Sequence, residues 1–300
     1  MIREFEKVIL VENLILGYHG DLDFVKTQST EGLKGKKVIF LVFGRNEKLP
    51  SLCIKTVRCA SENFLIEKEV KALKLVQQKL KGDEERILPK LIKEGMINAY
   101  SYCIQEAVNG KRLKRSDTGF LCKILELISL IHHRFALGEI EIDDSFIDEH
   151  ISGPVNNFLD FYNFRGTVLE GKATGIIEEF QKNKGLKIPL ILQHGDFHFA
   201  NIFKEGKKIK ILDWENFAEI SLPMYDLFTF LSSLRGEDLP TDEFLHLNGE
   251  EIKEYSEEFN IDEKLIKPIY QIHSILNFVK KIPLYNLNDF KVLEIKEVIF

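Results

Sequence analysis

Gln193-His194-Gly195-Asp196-Phe197-His198-Phe199-Ala200-Asn201-Ile202-Phe203-Lys204-Glu205-Gly206-Lys207-Lys208-Ile209-Lys210-Ile211-Leu212-Asp213-Trp214-Glu215 is the stretch on which the reading of this chain turns. Two short β-rich runs, 201–204 and 208–213, flank the turn signal Glu205-Gly206-Lys207, so they are expected to fold back as a hairpin. Asn201 and Asp213 then stand at its two open ends and become neighbours. Asp196 precedes Asn201 by one loop of five residues, so three oxygen-bearing side chains are expected to converge.

Hard oxygen donors grouped in this way suit magnesium bridging phosphates, and a carboxylate beside them suits a base that orients an attacking hydroxyl and accepts its proton. Asp196 suits the base, and Asn201 and Asp213 suit the metal. Glu215 is either a second carboxylate for the cation or a surface charge on the following loop. His198, inside the same loop, either touches substrate or is structural. The Phe-rich stretches 197–203 and 228–230 read as core.

Upstream, Val38-Ile39-Phe40-Leu41-Val42-Phe43 and Leu52-Cys53-Ile54-Lys55-Thr56-Val57 are β-rich, with Gly44-Arg45-Asn46-Glu47 and Pro50 between them, and predict a hairpin. Before it, Ser29-Thr30-Glu31-Gly32-Leu33-Lys34-Gly35-Lys36 is a polar, Gly-containing loop, either a surface turn or a loop whose amides approach phosphate. From Ser61 the apolar spacing becomes helical through Phe64, Ile66, Val70, Leu73 and Val76, with Glu69 beside the stripe. After the charged stretch 81–86, residues 97–105 predict a strand pair that ends at Asn109-Gly110, a turn and candidate hinge between lobes. Beyond it the amphipathic stretches 117–136, 154–165, 173–182, 223–235, 250–258 and 262–281 predict helices. A β-rich first part followed by a helical second part is a segregated α+β pattern, with lobes expected at 1–108 and 109–300.

Composition narrows the classes. At 44% hydrophobic and 29% charged residues, the chain is not mainly disordered. Cys53, Cys59, Cys103 and Cys122 show neither C-x-x-C spacing nor disulfide density, which points to a reducing, cytoplasmic compartment. The apolar stretch 8–16 is interrupted by Glu12 and Asn13 and makes a poor secretory leader, and no run approaches a membrane span. Residues 1–110 carry 18 Lys plus Arg against 15 Asp plus Glu, whereas the rest carry 23 against 32. No basic cluster forms a nucleic-acid footprint. The excess of acid in the second part, with clusters at 139–149 and 237–263, suits a cationic acceptor, and solvated helix faces explain it equally. His132 and His133, at the end of an apolar helix stripe, read as packing or capping residues.

The pattern His194-Gly195-Asp196…Asn201 followed by Asp213-Trp214-Glu215 resembles the aminoglycoside phosphotransferase and choline kinase superfamily, whose signature is H-G-D-x-x-x-x-N with an aspartate on the next strand. The resemblance implies a protein-kinase-like two-lobed fold. It makes Asp196 the catalytic base, Asn201 and Asp213 the magnesium ligands, and His194 a support of the loop. Pro223-Met224-Tyr225-Asp226-Leu227 is similar to the family's stretch in which an aspartate braces that loop. Lys55 resembles the lysine that holds the α- and β-phosphates, and Glu69 its ion-pair partner. Glu67 is the competing choice, set aside because Leu73 follows Glu69 at the family's spacing. Gln105 and Ala107 lie in a segment, Gln105-Glu106-Ala107-Val108-Asn109-Gly110-Lys111-Arg112-Leu113, similar to the hinge whose backbone holds the purine. The Gly loop departs from the stricter kinase glycine pattern.

The expected function is therefore an ATP- or GTP-dependent, Mg2+-dependent kinase acting on a small hydroxyl-bearing acceptor, with neither nucleic acid nor membrane as partner. The alternative is a catalytically silent nucleotide-binding or scaffold protein of the same fold. A protein kinase is disfavoured, because no A-P-E-like segment follows Asp213 and there is no room for a long activation loop.

Overall fold

The computed structural model describes residues 22–28, 37–44, 47–235 and 239–281. The Gly-containing loop 29–36 and the apolar stretch 8–16 lie outside the described residues. The chain runs β1 (Leu22–Gln28), β2 (Lys37–Gly44), β3 (Leu52–Val57), α1 (Asn63–Lys79), β4 (Leu91–Ile97), β5 (Tyr100–Glu106), β6 (Lys111–Arg112), α2 (Leu121–Arg134), β7 (Ala136–Glu141), α3 (Asp144–Ile147), α4 (Gly153–Phe161), α5 (Val168–Lys182), β8 (Lys187–Ile191), β9 (Ile202–Glu205), β10 (Lys208–Ile211), α6 (Tyr225–Arg235), α7 (Thr241–Leu247), α8 (Gly249–Glu258) and α9 (Glu263–Lys281). Strands concentrate in the first part and helices in the second, an α+β arrangement. It divides into two compact units. One holds the described residues up to Leu113 together with Ala200–Phe217, and the other holds Lys114–Phe199 and the described residues from Ala218 onward.

In the first unit, five antiparallel strands lie in the order β1-β2-β3-β5-β4. Alternation along β2 sends Val38, Phe40 and Val42 to one face, where they pack with Leu52, Ile54, Ile97, Tyr102 and Ile104. The other face carries α1, whose Ile66 and Val70 pack on Val57 and Cys103. β5 lies between β3 and β4 and is buried on both faces. It pairs with β4 across Asn98 and Ala99, both with positive φ, as the tightest hairpin turns require. Asn63 at the start of α1 ties that turn down, donating to the Ala99 carbonyl at 2.9 Å and accepting from the Ser101 amide at 2.8 Å. A second sheet, β10-β9-β6, completes the unit. Gly110 runs so close to β9 that a Cβ would sit 2.6 Å from the Lys204 carbonyl oxygen, and Asn109 donates its amide to Glu205. Asn109-Gly110, the candidate hinge, thus lies within this unit.

The second unit is helical apart from the antiparallel pair β7-β8. Its core is rich in aromatic side chains, including Phe146, Phe158, Phe180, Phe228 and Phe244, and α9 packs against α4, α5, α6 and α7. Among the described residues, no helix is long and apolar enough to cross a membrane. The helix expected at 173–182 begins five residues earlier, because Thr167 caps it through the Leu169 amide. β7 and β8 and the short helix α7 carry too little periodicity to be legible. β7 is mostly exposed, and β8 contains Pro189, so neither shows a clean alternation.

Candidate active site

The residues that the sequence singles out fall in both units. In the first unit, period-two alternation and strand register put three polar side chains on the sheet face that carries α1. Ile39 pairs with Lys55, and Lys37 with Val57, on β2–β3. Lys55 pairs with Cys103, and Cys53 with Gln105, on β3–β5. Residues directly opposite point to the same side, so Lys37, Lys55 and Gln105 all face the helix. There Glu69 is buried among the apolar residues of α1.

Lys55 Nζ forms an ion pair with Glu69 Oε1. Gln105 Nε2 donates to the same oxygen at 3.0 Å, and Lys37 Nζ donates to Glu69 Oε2 at 3.2 Å. Glu67 instead accepts from the Ser101 hydroxyl at 3.2 Å, so Glu69 is the carboxylate that the strand lysine meets. Burial acts to raise the Glu69 carboxyl, but the two ammonium groups and the Lys55 and Gln105 hydrogen bonds hold it down at about 2. Burial likewise acts to lower Lys55, and Glu69 and Asp213 outweigh it, so Lys55 stays well above the usual lysine range. A buried cluster of this kind keeps its charges only because each is paired. Burial pushes the neighbouring thiols up, Cys53 to about 11 and Cys103 to about 12, which leaves both unreactive.

β9 and β10 pair from Lys208 with Glu205 to Ile211 with Ile202, and the Leu212 amide donates to the Asn201 carbonyl at 2.9 Å. The hairpin therefore closes at Glu205-Gly206-Lys207 and opens between Asn201 and Asp213. Asp213 is left-handed, at φ 64° and ψ 57°, a conformation that aspartate tolerates better than most residues and that costs about 1–3 kcal/mol. That kink turns the chain from β10 into a short helical turn anchored by the fully buried Trp214, which donates Nε1 to the Ile211 carbonyl at 2.9 Å. It brings Asp213 Oδ1 to 3.4 Å from Lys55 Nζ and pairs Glu215 with Lys37. Glu215 is held above the usual carboxylate range, by burial first and by Asp213, against the pull of Lys37. Ala107 lies at the end of β5 with its amide donated to the Ser51 carbonyl at 3.1 Å, and the Gln105 side chain is committed to Glu69.

In the second unit, Asp226 at the start of α6 is fully buried and organises the loop that follows Gln193. Its carboxylate accepts the His194 amide at 2.6 Å and the Gly195 amide at 2.9 Å. His132 Nε2 stands 3.3 Å from Asp226 Oδ2, and His132 Nδ1 lies 2.5 Å from the Tyr255 hydroxyl. With the Nε2 proton donated to the carboxylate, Nδ1 is left to accept from Tyr255. Burial acts to raise the Asp226 carboxyl, and the His132 hydrogen bond with the nearby charges and amides holds it below the usual aspartate range. Gly195 adopts φ 81°, open to glycine without strain. Lys280 on α9 donates Nζ to the Gly195 carbonyl. Asp196 is thereby fixed from behind. Its backbone amide donates to His194 Nδ1 at 3.2 Å, and its carboxylate lies 3.4 Å from His198 Nε2. Burial acts to raise Asp196 as well, and the His198 hydrogen bond and the charges of His198, His194 and Lys280 hold it below its ordinary value.

No protein-family model and no curated protein sequence matches the chain. Solved structures do. A candidate fructosamine-3-kinase from Haemophilus somnus 129PT superposes with a TM-score of 0.61 at 15% identity, covering 97% of this chain and 95% of that one. A choline kinase from Cryptosporidium parvum Iowa II superposes at 0.57 and 13%, covering 91% and 87%. An amicoumacin kinase in complex with AMP-PNP and Ca2+ superposes at 0.56 and 13%, covering 98% and 92%. The chain has the protein-kinase-like fold.

Within that fold, the first unit gathers Lys55, Glu69, Gln105, Asp213 and Glu215, and the second holds Asp196 on a loop pinned by Asp226. His132 belongs to that bracing rather than to a helix cap, whereas His133 is exposed and pairs with Glu258 at 2.7 Å. Lys37 and Tyr255 escaped the sequence reading. Lys37 was detectable only through strand register, and Tyr255 carries no signal beyond its place on an amphipathic helix. Among the described residues, no three His, Cys, Asp or Glu side chains form a ready-made metal cage. The donors at hand, Asp213 and Glu215 with Asn201 across the hairpin mouth, are all oxygens. Oxygen donors of this kind would suit a hard divalent cation.

Proposed function

We propose that this chain is a kinase that moves the γ-phosphate of ATP, or of GTP, onto the hydroxyl of a small molecule. The observation that carries the proposal is Lys55 held in a buried pair with Glu69 while its ammonium lies 3.4 Å from Asp213. A strand lysine restrained by a helix carboxylate, next to an aspartate that follows a hairpin, supplies what nucleotide phosphates and their cation need. AMP-PNP and Ca2+ in the amicoumacin kinase support a nucleotide and a divalent cation as ligands of this fold.

In this reading Lys55 holds the α- and β-phosphates, Glu69 and Gln105 fix its stem, and the segment ending at Ala107 holds the purine edge. Asn201 and Asp213 hold the magnesium ion, which when bound supplies charge neutralisation on the phosphates. Asp196 orients the acceptor hydroxyl and takes its proton as that oxygen bonds to the γ-phosphorus and the bond to the β–γ bridging oxygen breaks, releasing ADP. A carboxylate held below its ordinary pKa is a weak base. Asp196 contributes orientation of the hydroxyl together with acceptance of its proton, which leaves late. The acidic balance of the residues after 110, and the choline kinase likeness, make amino alcohols and aminoglycosides the first acceptors to try.

The test is an ADP-release assay over amino alcohols, aminoglycosides, sugars and nucleosides, run on the wild type and Asp196→Asn. The variant should lose about 10²–10⁴ in turnover with nucleotide binding retained. If no acceptor responds while ATP still binds, the silent nucleotide-binding alternative replaces this reading. Near-normal turnover by Asp196→Asn would remove Asp196 from its role.

A further inference from the structure

Lys37 has no part in the reaction as set out above, yet it is the second ammonium in the carboxylate cluster of the first unit. Its side chain is only 12% exposed, with Nζ 3.2 Å from Glu69 Oε2, 4.0 Å from Asp213 Oδ1, and in an ion pair with Glu215 Oε2. Among the described residues, three carboxylates, Glu69, Asp213 and Glu215, thus share two ammonium groups. Lys55 is committed to Glu69 and Asp213, so among the described residues the charge opposite Glu215 is Lys37 alone. The Glu215 Oε2 atom is buried, and among the described residues no hydrogen-bond donor other than this ammonium meets it. Asp213, with 44% of its side chain exposed, is the open carboxylate of the three.

We propose, building on the reading that Asp213 belongs to the cation site, that Lys37 is the resident counter-ion of Glu215 in the metal-free protein and competes with the divalent cation for that carboxylate. A divalent ion arriving alone meets a neutralised Glu215 and a like charge within a few ångströms, which in a part-buried site is strongly repulsive. A cation that arrives with a nucleotide brings phosphate oxygens. The flexible lysine stem lets the ammonium turn from Glu215 to those oxygens and release the carboxylate. Metal and nucleotide are then expected to bind as one unit, with little affinity for the metal by itself. Lys37 is in this sense a positioning residue, acting through Glu215.

The test is an electron paramagnetic resonance titration of Mn2+ with the wild type, Lys37→Met and Lys37→Arg, each with and without AMP-PNP. Lys37→Met should bind Mn2+ without nucleotide at least about tenfold more tightly than the wild type, because the competing charge is gone, and Lys37→Arg should stay close to the wild type. Should Lys37→Met fail to fold by circular dichroism, Lys37→Gln, which keeps donors for both glutamates, provides the same comparison. Equal Mn2+ affinity in the neutral variant and the wild type overturns the proposal and leaves the kinase reading intact. So does a wild type that binds Mn2+ as tightly without AMP-PNP as with it. Absence of Mn2+ binding by every variant, with and without AMP-PNP, overturns the proposal and the kinase reading together.

Discussion

Replacing Asp226 by asparagine changes one oxygen for an NH2 group and removes one charge, at a place where the geometry allows neither. The two carboxylate oxygens serve three donors, the amides of His194 and Gly195 and the imidazole of His132. In Asp226→Asn the NH2 group must face one of these donors, leaving a buried N–H without an acceptor at about 1–3 kcal/mol, and the surviving bonds lose their charge assistance. A total loss of about 3–5 kcal/mol is expected, since each hydrogen bond to a charged group contributes about 1.5–3 kcal/mol. In a unit of this length that lowers the melting temperature by roughly 10 °C. The pH dependence gives a sharper test. The folded-state pKa of Asp226 lies below its unfolded value, so its contribution is complete above the unfolded pKa, about 4, and disappears as pH falls through the folded pKa. The gap in stability between the wild type and Asp226→Asn should therefore be constant between about pH 5 and 8 and begin to narrow below about pH 4, the loss completing only below the folded pKa. Calorimetry or circular dichroism melts across that range measure it. A variant that melts within two or so degrees of the wild type, or a gap that does not narrow in acid, would refute the bracing argument.

Three further outcomes are expected. Asp213→Ala should weaken magnesium-nucleotide binding as well as turnover, and a titration that shows the same metal dependence as the wild type would remove Asp213 from the cation site. Lys55→Ala and Glu69→Ala should each raise the nucleotide KM more than the acceptor KM. The double variant should cost little more in kcat/KM than the worse single one, whereas strict additivity would mean that the two act independently. Tyr255→Phe deletes the donor to His132 Nδ1 and should cost about 0.5–1.5 kcal/mol, seen as a fall of a few degrees in melting temperature; an unchanged melt would show that His132 is held without it.

The α+β division, the β2–β3 hairpin, helix α1 and the hairpin at 201–213 were legible because each rests on local periodicity and a turn signal. So was the run His194-Gly195-Asp196…Asn201…Asp213, since a loop and a two-stranded ribbon set the neighbours of those residues within twenty positions of one another. Lys55 and Glu69 needed a family resemblance to be paired, because the strand and the helix that carry them are joined by a connection whose packing no local pattern specifies. Strand register decided the rest. Only once β2 lies against β3 with Ile39 opposite Lys55 does Lys37 share the face of Lys55 and Gln105, and a slip of one residue would have turned it to the other side of the sheet. The bracket of His132, Tyr255 and Asp226 behind the Asp196 loop joins α2, α8 and α6, whose sequence separations reach 123 residues. Burial is what selects it: three polar groups enclosed in an aromatic core must satisfy one another, and which three are enclosed depends on how the helices pack.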